Sequence, residues 1–285
     1  MLAFDYHEPS SLDEAFHLLE KYGEDAHLLA GGTALVLLMR LGLVLPSHVV
    51  ALRRVPGLRE IGILPNGGLE IGALVTHAEI ERSALVQRFF APLAHAFGRV
   101  ATVRIRNQAT AAGNIVHADP ASDPPPMLMA LDAEVVIARQ GGSRTVPIAD
   151  FFTGIFETVI AHGEIVTAIR IPPPSPGTRG TYVKFLPGSK DDFAAVSVAA
   201  TIRTRSDGGC EHVRVALGSV GATPLRARNA ESMLNGRRLD DDAITSAANA
   251  VRAEIEPLSD ARGSSDYKRE MAGVWTRRAL ESLRA

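Results

Sequence analysis

Twice in its first half this chain leaves an apolar segment through a turn built of small residues and short polar ones. The first turn is Ala30-Gly31-Gly32-Thr33, entered from His27-Leu28-Leu29. The second runs Arg106-Asn107-Gln108-Ala109-Thr110-Ala111-Ala112-Gly113-Asn114-Ile115 and continues to Ser122-Asp123-Pro124. Glycine lets a backbone bend sharply and approach a ligand, and amides without side-chain cover make a concavity for an anion. A single turn of this kind is an ordinary strand-to-helix connection. Two of related chemistry constrain the fold much more, because they must meet at one cleft to grip a diphosphate from both sides. Thr33 and Thr110 offer hydroxyl donors, Asn114 offers a carboxamide, and the glycines leave backbone donors open. Asp123 adds an acceptor suited to ribose hydroxyls. That set describes a nucleotide held without a strongly basic pocket.

The bulk properties narrow the class. A chain of 285 residues suits two or three compact units. Its 30 basic and 32 acidic side chains leave no strong field, which argues against nucleic acid or an anionic membrane as partner. The apolar run 34–39, continued past Arg40 to Leu45, is broken by charge and too short for a transmembrane segment. No basic stretch followed by an apolar one opens the sequence, so the reading is a cytoplasmic protein. Cys210 is the sole cysteine, which excludes an internal disulfide and any all-cysteine zinc or iron–sulfur site. It follows Asp207-Gly208-Gly209 at a hairpin tip and reads as an incidental strand residue. None of the nine histidines is paired at metal-ligand spacing, and His117 beside Asp119 reads as a turn. The chain has no Gly-x-Gly-x-x-Gly after a strand, no phosphate-loop lysine motif and no Gly-x-Ser-x-Gly. No metal ligand and no catalytic acid or base is assigned.

Patterning predicts the elements. Residues 4–9 and 49–52 read as strands, and Ser11 with Glu14 forms a capping box for the helix behind it. Thr33 is placed to cap a short helix over 34–43. Residues 58–64 and 69–74 pair through Asn66-Gly67-Gly68, and Thr76 with Glu79 is a second capping box, opening helices that reach about Arg99. Pro124-Pro125-Pro126 suits the first turn of a helix. Strands follow at 134–138, 144–148 and 164–171, then the boundary Pro172-Pro173-Pro174-Ser175-Pro176-Gly177. Beyond it, strands over 181–186, 194–205 and 211–219 precede helices over 224–234, 240–255 and 267–283. This predicts an α+β unit with helices against one face of an antiparallel sheet. Tyr267, Met271, Val274 and Trp275 are spaced as a core-facing stripe on the last helix. By alternation with Val183 and Phe185, Lys184 lies opposite the apolar face of its strand, as a solvent-facing lysine would.

In order and spacing, Ala30-Gly31-Gly32-Thr33, the stretch from Arg106-Asn107 through Thr110-x-x-Gly113-Asn114-Ile115 to Ser122-Asp123, and Lys184 with Asp192-Phe193 resemble the flavin-binding subunits of the molybdenum hydroxylases. That family includes the carbon monoxide dehydrogenase medium subunit and the xanthine dehydrogenase FAD domain, and the resemblance covers essentially the whole chain. It implies an α+β architecture: a two-part FAD-binding region of vanillyl-alcohol-oxidase type, residues 1–55 and 56–174, then a C-terminal domain, 175–285. It implies FAD as cofactor. Ala30, Gly31, Gly32, Thr33 and Ala34 match the first diphosphate loop, and Thr110, Gly113 and Asn114 the second. Asp123 matches an acidic residue that helps hold the cofactor, Lys184 a basic residue near the flavin ring, Val166 an apolar contact, and Phe193 a bulky residue over the ring. Two departures stand out: Thr33-Ala34 replaces a histidine or glutamine followed by serine, and Ala111-Ala112 replaces Ile-Gly. The methyl of Ala112 fits only if that residue does not need positive φ.

The implied function is electron transfer in a complex. A large subunit would carry the molybdenum cofactor, a small one [2Fe–2S] clusters, and the acceptor would be a quinone, NAD or oxygen. A flavin-free structural or nucleotide-binding subunit is the alternative that Thr33-Ala34 and Ala111-Ala112 favour. A free-standing flavin oxidase would need a substrate pocket and base, for which the sequence offers no sign.

Overall fold

The computed structural model describes residues 3–189 and 191–284. The chain begins with a small parallel sheet. Strand β1 (Asp5–His7) is followed by helix α1 (Leu12–Tyr22), strand β2 (Ala26–Leu29), helix α2 (Leu35–Leu41) and strand β3 (His48–Ala51). The order is β1-β3-β2 with both pairings parallel, so helices must carry the crossovers. Ser11 caps α1 by accepting from the Glu14 amide at 3.1 Å. The Glu14 carboxylate reaches back to Ser10 rather than to Ser11, which leaves the predicted box half formed. Helix α1 buries Ala15, Phe16 and Leu19 against the sheet. The expected Thr33 cap is absent: Ala34 is the N-cap of α2, with no side-chain bond, and Gly42 ends the helix in the left-handed region. The first turn therefore keeps its polar groups for something other than capping.

The second unit is an antiparallel sheet with a run of short helices inserted into it. Strands β4 (Ile61–Ile63) and β5 (Leu69–Gly72) form the glycine-turned hairpin. Helices α3 (His77–Arg82), α4 (Ala84–Phe89), α5 (Ala91–Gly98), α6 (Val103–Arg106), α7 (Ala111–His117) and α8 (Pro124–Ala130) follow. Thr76 and Glu79 complete their capping box at α3. Strands β6 (Glu134–Arg139) and β7 (Gly142–Pro147), a small hairpin β8 (Phe152–Gly154) with β9 (Glu157–Thr158), and β10 (Ile165–Ile171) complete the unit. The sheet order is β4-β5-β10-β6-β7. All seven residues of α8 are buried. A helix apolar all round needs neighbours on every side, and the third unit supplies the missing wall.

That unit holds β11 (Thr178–Phe185), β12 (Val196–Thr204), β13 (Cys210–Gly218) and the two-residue β14 (Leu225–Arg226), paired antiparallel in that order. Helices α9 (Arg228–Leu234), α10 (Asp241–Glu254) and α11 (Ser265–Glu281) follow. The first residues of the predicted 224–234 helix thus become an edge strand. The sheet is covered on both faces, not one. Val198, Ala200 and Ile202 of β12 face the C-terminal helices, while Tyr182, Ala199 and Ala216 join the core of the second unit. Thr201 Oγ1 donates to the Ala130 carbonyl at 2.8 Å, and Arg214 and Arg226 both reach Asp132. On α11 the buried face is Lys268, Ala272, Thr276, Ala279 and Leu280. The predicted stripe runs along its border, with Met271 and Trp275 half-buried and Tyr267 exposed.

Truncating α8 at Leu128, which is fully buried, tests this packing. Leu128→Ala is expected to cost about 3 kcal/mol in denaturant unfolding. A loss below about 1 kcal/mol would contradict a helix packed on all sides.

Candidate functional site

The two small-residue turns meet. Gly31 lies against the backbone of Gln108 and Ala109, so close that a Cβ there would collide with the Gln108 carbonyl oxygen and stand 3.1 Å from the Ala109 Cα. Only glycine allows that approach. Gly32 turns the chain with φ +75°, and a Cβ on Gly113 would stand 3.8 Å from the methyl of Ala30. The second turn is clamped from below by residues 73–77. Ala111 donates to the Val75 carbonyl at 2.9 Å, Ala112 to Ala73 at 3.3 Å, and the His77 amide to Ala109 at 3.0 Å.

The turns present different donors. Among the described residues, the amides of Gly31, Gly32, Thr33 and Ala34 have no protein acceptor. In the second turn the backbone donors are used internally: besides Ala111 and Ala112, Gly113 N–H bonds Thr110 Oγ1 at 3.1 Å and Asn114 N–H bonds the Thr110 carbonyl at 3.0 Å. The expectation of open amides there is corrected, since the chain spends them on starting α7. What the second turn offers outward is side-chain chemistry. Thr110 accepts from Gly113, which leaves its own O–H to donate elsewhere. Ser122 Oγ donates to Asn114 Oδ1 at 2.8 Å, so the amino end of that carboxamide is the one left for a ligand. Ala112 is a buried helical residue without positive φ, so its methyl is accommodated.

Asp123 and Lys184 are brought together, but to each other. Lys184 Nζ bonds Asp123 Oδ2 at 2.8 Å and the Arg99 carbonyl at 2.9 Å, while the Tyr182 hydroxyl bonds Asp123 Oδ1 at 2.5 Å. The Asp123 and Lys184 side chains are 3% and 1% exposed. Lys184 is thus no solvent-facing lysine: it does lie opposite Val183 and Phe185, but α5 and α8 cover that face of the sheet. Both Asp123 oxygens are occupied, so the carboxylate is not presented to a sugar. Burial pushes the Asp123 carboxyl upward, opposed by the Lys184 ammonium, and burial with the Asp123 charge drives the Tyr182 phenol well above its usual value. Val166 is buried at a bulge of β10, in the same core as Ala111, Ala112 and Ile115. Phe193 is half exposed, with the Arg262 guanidinium 5.5 Å from its ring centre.

Three residues at this site were not singled out by the sequence reading. His77 is fully buried, and its Nε2 lies 3.2 Å from the Thr110 carbonyl, which fixes the tautomer with the proton on Nε2. Burial lowers its pKa to about 4. Ser122 orients Asn114, and Tyr182 shares Asp123 with Lys184. The period-2 alternation that placed Lys184 also puts Tyr182 on the same face. Nothing in the local sequence marks His77, whose partner is a carbonyl 33 residues away. Among the described residues no group of three or more His, Cys, Asp or Glu is placed to hold a metal ion, and no helix is long and apolar enough to cross a membrane.

Comparison with known proteins matches both halves. Residues 2–174 match the family described as FAD binding domain in molybdopterin dehydrogenase, and residues 181–283 match the CO dehydrogenase flavoprotein C-terminal domain. The carbon monoxide dehydrogenase medium chain of Hydrogenophaga pseudoflava is 37% identical over 280 residues, covering 98% of this chain and 96% of that one. The glyceraldehyde dehydrogenase medium chain of Sulfolobus acidocaldarius is 34% identical over 280 residues, 98% of each. A solved structure of the H. pseudoflava carbon monoxide dehydrogenase, lacking the Mo-pyranopterin moiety of its cofactor, superposes with a TM-score of 0.95 at 37% identity, covering 98% of this chain and 96% of that one.

His77 gives this site a pH dependence. Above about pH 6.5 the ring is neutral in both folded and unfolded chains. As the pH falls toward 4, the unfolded chain binds a proton that the folded one refuses, so stability is lost across that interval, by about 3 kcal/mol in total. In His77→Gln, which keeps a donor for the Thr110 carbonyl, urea unfolding from pH 7 to 4 is expected to show a flatter profile. An unchanged slope would remove His77 as its source.

Proposed function

This chain belongs to the family of FAD-binding domains of molybdopterin dehydrogenases, and we propose that it is the FAD-carrying medium subunit of a molybdenum-containing hydroxylase or dehydrogenase complex. The observation that carries the reading is the contact of Gly31 with the Gln108–Ala109 backbone, which brings the two small-residue turns together. The residues present fit the cofactor. Open amides of Gly31, Gly32, Thr33 and Ala34 suit one side of a diphosphate, and Thr110 Oγ1 and Asn114 Nδ2 suit the other. Ala30 and Gly113 keep the space between the turns free of large side chains. Val166 supports the second turn from the core, and by the family resemblance the half-exposed Phe193 would be the ring-side cover. When bound, the group supplies electron transfer, inward from [2Fe–2S] clusters of a partner and outward to a quinone, NAD or oxygen. The chain's own work is to bind, orient and shield it.

Lys184 enters this reading through Asp123, its partner in a pair that neutralises itself, rather than as a free charge beside the ring. The proposed partners are a large subunit holding the molybdenum cofactor and a small subunit holding the clusters. One cysteine supplies no thiolate set for a cluster within these 285 residues. The division into 1–55, 56–174 and 175–285 and the cytoplasmic location are part of the same proposal.

The purified full chain, with whatever subunits accompany it, is expected to show the two-banded absorption of oxidised flavin, and released cofactor should be FAD. Gly31→Ala should weaken FAD binding at least about tenfold by wedging the turns apart. Asn114→Ala, milder for folding, should weaken it roughly fivefold or more through the loss of one hydrogen bond. Wild-type protein that stays colourless after incubation with FAD would overturn the proposal.

A further inference from the structure

We propose that the C-terminal sheet sets the geometry of the second cofactor turn: Tyr182 and Lys184 are positioning residues that hold Asn114 through Asp123 and Ser122. The inference rests on the FAD reading for its purpose, though its geometry stands by itself. Asp123 occupies the N-cap position of α8, but the first three helical residues are Pro124, Pro125 and Pro126, which offer no amide for its carboxylate to accept from. Its carboxylate is turned away to β11, where Tyr182 takes one oxygen at 2.5 Å and Lys184 the other at 2.8 Å. The lysine also bonds the Arg99 carbonyl at the end of α5, so the pair is fastened to the second unit at two points. A buried ion pair is weak evidence for net stability, so a role in placing groups is the use proposed for this one.

The next residue back carries the constraint to the turn. Ser122 is 4% exposed, its amide is held by the Asp119 carbonyl at 3.0 Å, and its hydroxyl bonds Asn114 Oδ1 at 2.8 Å. A second tie from the same sheet, Ser219 N–H to the Pro120 carbonyl at 2.8 Å, holds the other side of this short loop. The loop 119–123 is thus held at Pro120 and at Asp123 from the C-terminal unit, and Ser122, which bonds the Asn114 carboxamide, lies between the two ties. The partner of Asn114, Ser122, sits directly beside the residue that the sheet holds.

The test is a double-mutant cycle on FAD affinity in the full chain, with Tyr182→Phe, Asn114→Ala and the pair. Tyr182→Phe keeps the ring in the core and removes only the hydroxyl. It should weaken FAD binding roughly fivefold in the wild-type background and less than about twofold once Asn114 is gone. Equal losses in both backgrounds would overturn the relay, because general loosening would not depend on Asn114. A flavin-independent arm uses the apo chain. The 15N-labelled carboxamide signal of Asn114, identified by its absence in Asn114→Ala, should shift or double in both Tyr182→Phe and Ser122→Ala. An unmoved signal would sink the relay. A wild-type chain that takes up no FAD would instead sink the flavin reading, while the carboxamide signal still decides this one.

Discussion

At Gly31 two stretches of backbone from different units lie so close that no side chain fits between them. That contact comes from covalent geometry. A strand of the parallel sheet ends at Leu29, the chain bends through Gly31 and Gly32, and the carbonyl of Gln108 occupies the space where a Cβ would stand. The rest of the site follows from it. The open amides of the first turn and the hydroxyl and carboxamide of the second belong to neighbouring stretches because the two backbones touch. Electrostatics adds little long-range pull in a chain of net charge −2. On the proposed reading, binding here would be a matter of short-range donors held in place, with the fold providing the preorganisation.

The division of labour between the turns is unequal. The first is nearly bare backbone, left uncapped where α2 begins. The second is tied through its amides to Val75, Ala73 and Thr110, and keeps only side-chain groups for a ligand. Buried His77 supports it through the Thr110 carbonyl. In the proposed complex a tied turn would define position while the first turn supplied backbone donors. Beyond the cleft, α8 joins the second unit to the C-terminal sheet, and the Asp123–Lys184–Tyr182 cluster lies at that seam. Each residue of that cluster is buried.

Local chemistry was legible in the sequence wherever one stretch of chain decides the outcome. Asn66-Gly67-Gly68 returned a hairpin, Thr76 with Glu79 returned a full capping box, and Pro172 to Gly177 returned the break before β11. The glycine turns were legible as candidates, and their spacing carried the family resemblance. What was hidden depends on tertiary neighbours. Lys184 was placed on the correct face of its strand, but α5 and α8 turn that face from solvent into core. Thr33 looked like a cap because hydroxyls often are, whereas the turn geometry gives that position to Ala34. Tyr267 missed the core because the buried face of α11 is rotated toward Ala272 and Thr276. Two of the second turn's amides, those of Ala111 and Ala112, are taken by Val75 and Ala73 far earlier in the chain, while those of Gly113 and Asn114 are taken by Thr110 as α7 starts, a local cap that the glycine content hid.

Two turns gripping one diphosphate form the central claim, and a diffraction structure of the full chain with FAD bound tests it most directly. It is expected to show the diphosphate within hydrogen-bond distance of first-turn amides from Gly31 to Ala34 and of Thr110 Oγ1 or Asn114 Nδ2. Density for the diphosphate against one turn alone, or elsewhere on the molecule, would contradict it.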